Sequence, residues 1–215
     1  MALFIPGPAG RLEALSWPAQ QESGAPAAAS AAALVCHPHP QFGGSMHNNV
    51  VFRIARGLQR AGLDVVRFNF RGVDASEGVH DGRGGEVEDA RAVLAWLAEQ
   101  HPSLPLWAAG FSFGARTVAE LAASEPRVAR LLCVALPCKA FDCSALRRVR
   151  QPALVLQAGR DAFGNLADLR ERLNDLHATI QLDEIPGEEH FFRGATPQLE
   201  ARVRFWARTQ LEPAL

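Results

Sequence analysis

The stretch LWAAGFSFGARTVAELA, residues 106–122, predicts a strand, a sharp turn and a helix in immediate succession. Its apolar start is typical of a buried strand, and GFSFG at 110–114 fits the pattern G-x-S-x-G of a nucleophile elbow. In such a turn the central residue is strained and its side chain projects from the sheet. The flanking glycines remove Cβ atoms that would collide where strand and helix approach each other. Ser112 is therefore our candidate nucleophile.

Short apolar runs alternate with helix-like segments along the rest of the chain, which favours an α/β fold with a mainly parallel sheet. The predicted strands, apolar almost throughout as suits burial on both faces, are 31–37, 63–69, 104–109, 130–136, 152–158 and 179–185. The predicted helices are 48–61, 85–100, 113–124, 165–177 and 196–210. Residues 4–17 predict an antiparallel hairpin, and residues 18–30 predict a mobile surface connection. We expect one domain over 1–215 with helices on both faces of the sheet.

The composition argues against several classes of function. The chain has 215 residues, 48% of them hydrophobic, and a formal net charge of −1, which gives no long-range field to attract nucleic acid or an anionic membrane. No apolar run approaches the roughly 20 residues that span a bilayer. Proline and glycine at 6–8 interrupt the apolar start of the chain, which argues against a secretory signal. The four cysteines lack paired CxxC spacing. We predict a cytoplasmic protein with a small-molecule substrate and leave its oligomeric state open.

A serine nucleophile requires a base and an acid, which in sites of this type follow it along the chain as acid and then histidine. Asp161 follows the predicted strand 152–158, and His190 follows the last predicted strand. Asp142, after the preceding strand, is the alternative acid. In this hypothesis His190 takes the proton of Ser112, and Asp161 fixes the imidazole tautomer.

The loop VCHPHPQFGG, residues 35–44, is where we expect the second donor of an oxyanion hole, the first being the backbone N–H of Phe113. The two prolines of the loop have no N–H to offer, so the amide of His39 is our first choice and that of Gln41 our second. The alternative is that His37 and His39 bind a metal ion. A catalytic zinc needs at least one further ligand, and no matching motif is present. We predict neither a metal nor an organic cofactor.

Five motifs together resemble the small bacterial serine hydrolases of the α/β-hydrolase superfamily that lack a lid, often grouped with dienelactone-hydrolase-like proteins. They are HPHPQFGGSMHNNVV at 37–51, VVRFNFRGVDASEG at 65–78, GFSFGA at 110–115, GRDAFG at 159–164 and EEHFF at 188–192. The resemblance implies an eight-stranded or slightly reduced sheet and a triad of Ser112, Asp161 and His190. Two departures stand out: dienelactone hydrolases use cysteine where this chain has serine, so lactone specificity is not implied, and Asp74 occupies a turn position where glycine is common.

Spacing also argues against a lid, because the short segment between Leu136 and Ala153 leaves no room for a helical cap. An open site favours small or extended acyl groups, and Phe42 and Phe111 are candidates for an apolar wall beside the nucleophile, unless they simply pack in the core. The resulting prediction is a carboxylesterase that cleaves small acyl esters through an acyl-enzyme. The alternatives are a thioesterase or an amidase or peptidase on the same triad, or a non-catalytic binding protein that keeps the fold.

Overall fold

The computed structural model describes residues 3–80, 82 and 84–212, so the two ends of the predicted 1–215 domain lie outside the described residues. The strands among these residues are β1 (Leu3–Gly7), β2 (Gly10–Trp17), β3 (Ala31–Cys36), β4 (Leu63–Phe68), β5 (Leu106–Phe111), β6 (Val128–Val134), β7 (Ala153–Ala158) and β8 (Ile180–Ile185). The helices are α1 (Asn49–Arg60), α2 (Gly85–Gln100), α3 (Phe113–Ala122), α4 (Leu166–Arg172) and α5 (Thr196–Leu211). Short 3₁₀ turns cover Pro40–Phe42 and Ser144–Arg148.

The strands form one 8-stranded sheet in the order β1-β2-β4-β3-β5-β6-β7-β8. The pairs β1–β2 and β2–β4 are antiparallel, and all later pairs are parallel. Every residue of β3, β5 and β7 is buried, because helices cover these central strands on both faces. The predicted hairpin and the mainly parallel sheet are confirmed.

Helices on both faces divide the core into two layers. Val51 of α1 and Leu199 of α5 belong to the layer on one face of the sheet. Leu94 of α2 and Val118 of α3 belong to the layer on the other face. The helices cover both faces of the sheet and leave the loops at its carboxyl edge accessible.

Four predicted elements are displaced or shortened by two residues or more. Strand β6 lies two residues earlier than the predicted 130–136, and α3 ends two residues before the predicted 124. The other two differences have identifiable physical reasons. Strand β5 lies two residues later than the predicted 104–109, because Pro105 has no N–H for the ladder. Helix α4 is shorter than the predicted 165–177: it begins after the capping box of Asn165 and ends at Arg172, since Leu173 leaves the helical region with φ −128° and ψ 60°.

The connection 18–30 runs over the surface with one isolated bridge and is tied to the elements below it. The Ala19 N–H donates to Asp64 Oδ1 at 2.7 Å, and the Ser30 N–H donates to the Gly62 carbonyl at 2.9 Å. The mobility predicted for this connection remains a prediction.

The segment that would carry a lid, 135–152, contains only the short turn Ser144–Arg148. The lidless architecture predicted from spacing is therefore confirmed. Within the described part of the chain, every helix is too short or too polar to cross a membrane.

Candidate active site

Ser112 occupies a strained turn between β5 and α3. Its φ of 56° and ψ of −118° lie outside the regions that non-glycine residues favour, and its N–H is anchored to the Val134 carbonyl at 2.9 Å. A Cβ added at Gly110 would lie closer than 3.0 Å to the carbonyl of Gly114, and one added at Gly114 would lie as close to that of Cys36. The glycines of the elbow are thus required by close backbone approach, as the sequence predicts.

The three residues of the predicted triad are brought together at the carboxyl edge of the sheet. His190 Nδ1 lies 2.7 Å from Asp161 Oδ2, and His190 Nε2 lies 2.9 Å from Ser112 Oγ. Because a carboxylate only accepts, the imidazole carries its proton on Nδ1, and Nε2 is free to accept the serine hydroxyl proton. The other Asp161 oxygen accepts the Phe163 N–H at 2.8 Å. Asp161 and His190 are both buried.

Asp142, the alternative acid, is occupied elsewhere. Its carboxylate accepts the N–H of Ser144 at 2.9 Å and the hydroxyl of the same residue at 3.1 Å. These hydrogen bonds hold the pKa of the exposed Asp142 below its usual value. The geometry therefore favours Asp161 as the partner of His190.

Aromatic rings surround the imidazole of His190. The ring centroids of Phe163, Phe111 and Phe191 lie 4.7, 5.1 and 5.2 Å from it. Phe111 is fully buried, and its side chain packs against the imidazole within the core. The prediction that Phe111 contacts substrate is therefore wrong, because this side chain has no exposed surface to offer.

Phe192 anchors the loop that carries His190. Its side chain is fully buried in the core layer that contains α1 and α5, although its backbone has a left-handed φ of 49°. The Phe192 N–H donates to the Glu189 carbonyl at 2.8 Å, which closes a tight turn around His190. Core packing thus compensates for an unfavourable backbone conformation.

Both predicted oxyanion donors are available. Within the described part of the chain, the backbone amides of Phe113 and His39 donate to no protein acceptor. The Gln41 N–H, our second choice, already donates to His39 Nδ1 at 3.2 Å. A Cβ at Gly44 would lie closer than 3.0 Å to the Pro38 carbonyl, so glycine is needed for the loop to fold back on itself.

The metal alternative is disfavoured by the hydrogen bonds of His37. This ring is fully buried, its Nδ1 donates to the Pro38 carbonyl at 2.6 Å, and its Nε2 accepts the Phe70 N–H at 3.0 Å. Burial lowers the pKa of His37 to about 4. His37 would have to give up one of these bonds to ligate a metal. No three side chains of the described residues converge as a metal site requires.

A cavity of about 370 Å³ lies over Ser112 and His190. His39 and four phenylalanines also line it, and these are Phe42, Phe141, Phe163 and Phe191. Phe42 was predicted for this position and is 84% exposed at the rim. The other three were missed, although Phe163 and Phe191 lie within two residues of the predicted acid and base. We refer to this space as the catalytic cavity.

A family model described as an alpha/beta hydrolase domain matches residues 31–204. The chain belongs to the α/β-hydrolase family. Its sequence is 33% identical over 210 residues to an uncharacterized protein of Rickettsia prowazekii, covering 94% of this chain and 86% of that protein.

Two solved structures of α/β hydrolases are similar over nearly the whole chain. One is an α/β serine hydrolase without lid from Xanthomonas campestris, 35% identical with a TM-score of 0.89, covering 100% of this chain and 96% of that one. The other is an α/β serine hydrolase homologue from Coxiella burnetii, 34% identical with a TM-score of 0.86, covering 95% of this chain and 96% of that one. The family resemblance in the sequence motifs is thereby confirmed.

Proposed function

We propose that this protein is a serine carboxylesterase that cleaves small acyl esters through an acyl-enzyme. One observation carries the proposal: an unbroken line of hydrogen bonds runs from Asp161 through His190 to Ser112, which sits on the strained elbow. A hydroxyl in this setting is activated by the base beside it. The strain at φ 56° has a role if Ser112 must project into the catalytic cavity.

Acylation begins when Ser112 Oγ bonds to the acyl carbon of the ester. His190 Nε2 takes the hydroxyl proton, and Asp161 stabilises the imidazolium that results. The carbonyl oxygen becomes an oxyanion, which accepts hydrogen bonds from the backbone amides of Phe113 and His39.

The tetrahedral intermediate then breaks its bond to the alcohol oxygen, which takes the proton from His190 Nε2. Water enters next: it gives a proton to His190 while its oxygen bonds to the acyl carbon. The second tetrahedral intermediate releases the carboxylic acid, and the proton returns to Ser112. Each turnover consumes one water and yields one acid and one alcohol.

The same triad can act on thioesters and amides, because its geometry does not select the leaving atom. Esters are favoured here by the open, lidless catalytic cavity. Phenylalanines supply its apolar surface, and among the described residues that line it few carry a polar side chain that could hold a peptide. An amine also leaves only after full protonation, which demands a closer fit to His190 than an alcohol does.

The test is hydrolysis of p-nitrophenyl esters from acetate to decanoate by the wild type and by Ser112→Ala, with and without a chelator. We expect turnover that survives chelation, falls at least about 10³-fold in the variant and declines for the longest chains. Circular dichroism of Ser112→Ala checks that the fold is kept.

Labelling by a fluorophosphonate separates the alternatives. Labelling at Ser112 without turnover of any ester would overturn the ester assignment and point to thioesters or amides. A folded protein that neither labels nor turns over any ester would overturn the enzymatic proposal as a whole.

A further inference from the structure

A second cavity of about 490 Å³ adjoins the catalytic cavity. The two share His39 and Phe141, whereas Ser112 and His190 line only the catalytic cavity. The second cavity is lined largely by polar side chains. Four of them are charged or titratable and do not line the catalytic cavity: His80, Glu86, Arg116 and Glu120. No step of the proposed reaction uses these four groups.

The polar groups of this cavity are held in place by pairing. Glu86 is buried, and its Oε1 lies 2.5 Å from Nδ1 of His80. Arg116 forms an ion pair with Glu120 at 2.7 Å and donates from Nε to the carbonyl of Asp142 at 3.0 Å. Among the described residues that line this cavity, two carboxylates stand beside one arginine, so a ligand with an anionic end is disfavoured there.

His39 contributes a hydrogen-bond donor from the boundary between the two cavities. Because its Nδ1 accepts the Gln41 N–H, the ring carries its proton on Nε2. Burial lowers the pKa of His39, which favours this neutral form. Its ring lies 4.8 Å from that of Phe113 and 5.1 Å from that of His80, measured between centroids. The second cavity thus combines donors, acceptors and aromatic faces, a set that suits neutral hydroxyl groups.

The position of His190 indicates which part of an ester would reach the second cavity. The alcohol oxygen must take its proton from His190 Nε2, so the alcohol leaves on the side where Phe163 and Phe191 flank that ring. An acyl group on the other side of the reacting carbon would extend toward His39 and Phe141, which line both cavities. Beyond these two residues lies the second cavity.

We propose that the second cavity is a subsite for the far end of the acyl group, and that it selects acyl chains ending in a neutral hydroxyl group. This inference rests on the proposed esterase function. It makes the preferred substrate an ester of a hydroxylated acid with an apolar alcohol.

The experiment compares p-nitrophenyl hexanoate, its 6-hydroxy derivative and its 6-carboxy derivative as substrates of the wild type, Glu86→Gln and Glu88→Gln. Glu88 is the matched control, since it lies in the first turn of the same helix α2 but is exposed and pairs with Arg91. One added hydrogen bond predicts a preference of about tenfold in kcat/KM for the hydroxy ester over the plain ester. Glu86 is buried and acts on the ligand through His80, whose ring it holds in the cavity wall. We therefore expect this preference to fall to about twofold or less in Glu86→Gln, to persist in Glu88→Gln, and to be absent for the carboxy ester.

Failure of this inference is distinct from failure of the esterase proposal. Turnover of the plain ester with no preference for the hydroxy ester overturns the subsite alone, whereas no turnover of any ester overturns the esterase function. A preference for the 6-carboxy ester over the plain ester overturns the selection of a neutral end group. If Glu86→Gln does not fold, Glu120→Gln removes a carboxylate from the same cavity, and an unchanged preference there overturns the subsite.

Discussion

The nucleophile elbow and the loop that carries His190 are both strained, but they are held in different ways. At Ser112, φ is 56°, and the turn is fixed by backbone pressed against backbone around Gly110 and Gly114. In the histidine loop, Phe192 has a φ of 49°, and the turn is held by a phenylalanine side chain buried in the core. The elbow is fixed because glycines allow close backbone contact, whereas the histidine loop is fixed because a large side chain is buried.

This difference teaches that the two halves of the site have different tolerances. Close backbone contact leaves no space for an added atom, so even a single added methyl group in the elbow should cause a large loss of stability. Side-chain packing loses stability in proportion to the volume removed, so the histidine loop should fail by degrees. The position of Ser112 therefore depends on close backbone contact, and that of His190 on burial of the neighbouring Phe192.

The largest effect is expected from Gly114→Ala. The new Cβ would lie closer than 3.0 Å to the carbonyls of Cys36, the last residue of β3, and of His37, which follows it, and these are backbone atoms that cannot move aside as a flexible side chain could. We expect loss of more than about 4 kcal/mol in the free energy of unfolding, measured in urea. Gly159→Ala is the control, because the nearest atoms to its Cβ lie 3.2 Å away, and about 1 kcal/mol is expected there. Equal losses in the two variants would show that the close backbone contact at Gly114 is not what fixes the elbow.

Asp161→Asn should be the next largest effect, but on rate and not on folding. An asparagine can donate to Nδ1 and so favours the tautomer in which Nε2 can no longer accept from Ser112, which predicts a fall of about 10³- to 10⁴-fold in kcat on p-nitrophenyl butyrate. Asp142→Asn should stay within about twofold, since its carboxylate bonds to Ser144. A comparable fall in both variants would contradict the assignment of the acid.

Phe192→Ala tests the side-chain anchor of the histidine loop. Removal of this fully buried ring should lower the free energy of unfolding by about 3 to 5 kcal/mol. Phe191→Ala, its partly exposed neighbour, should cost less than about 1 kcal/mol, and denaturant unfolding of both measures the contrast. If the neighbour costs as much, the loop is not held by burial of Phe192.

The smallest effect concerns pH and belongs to the elbow, since the His37 carbonyl packs against Gly114. The pKa of His37 is about 4 when folded against 6.5 unfolded, so the unfolded state binds the extra proton first as the pH falls. Stability from this group is complete above pH 6.5 and declines by about 3 kcal/mol by pH 4.

His37→Gln isolates that contribution, because carboxylates titrate in the same range in both proteins. The difference in free energy of unfolding between wild type and variant should shrink between pH 7 and pH 4. A difference that stays constant over this range would show that His37 is not buried in its neutral form.

The elbow could be predicted from the sequence, because its strand, glycines, serine and helix are contiguous, and only the strand was displaced, by two residues. Asp161 and His190 could be predicted from their order after successive strands. Phe192 could not, since two adjacent phenylalanines are alike in sequence, and only the backbone turn decides which one enters the core. Phe111 was wrongly predicted to contact substrate. Neighbouring side chains along a strand point to opposite sides, so an outward Ser112 implies an inward Phe111, and this signal was present in the sequence.

The second cavity could not be predicted from the sequence, for a different reason. His39, His80 and Arg116 lie in three separate segments and carry no shared motif, so only the folded sheet edge brings them together. Phe141 likewise lies in a segment without recognisable pattern. Hydrophobic periodicity predicts which elements form, but it does not predict which loops meet.

His39 has two surfaces that can change independently. Its backbone amide, proposed to hold the oxyanion, is present whatever side chain the position bears, proline excepted. Its imidazole lies at the boundary between the two cavities, so an exchange of the side chain changes the surface that binds substrate but keeps the amide. An enzyme built in this way can drift toward new substrates through single substitutions while its chemistry is conserved, which makes position 39 a natural starting point for directed evolution of selectivity.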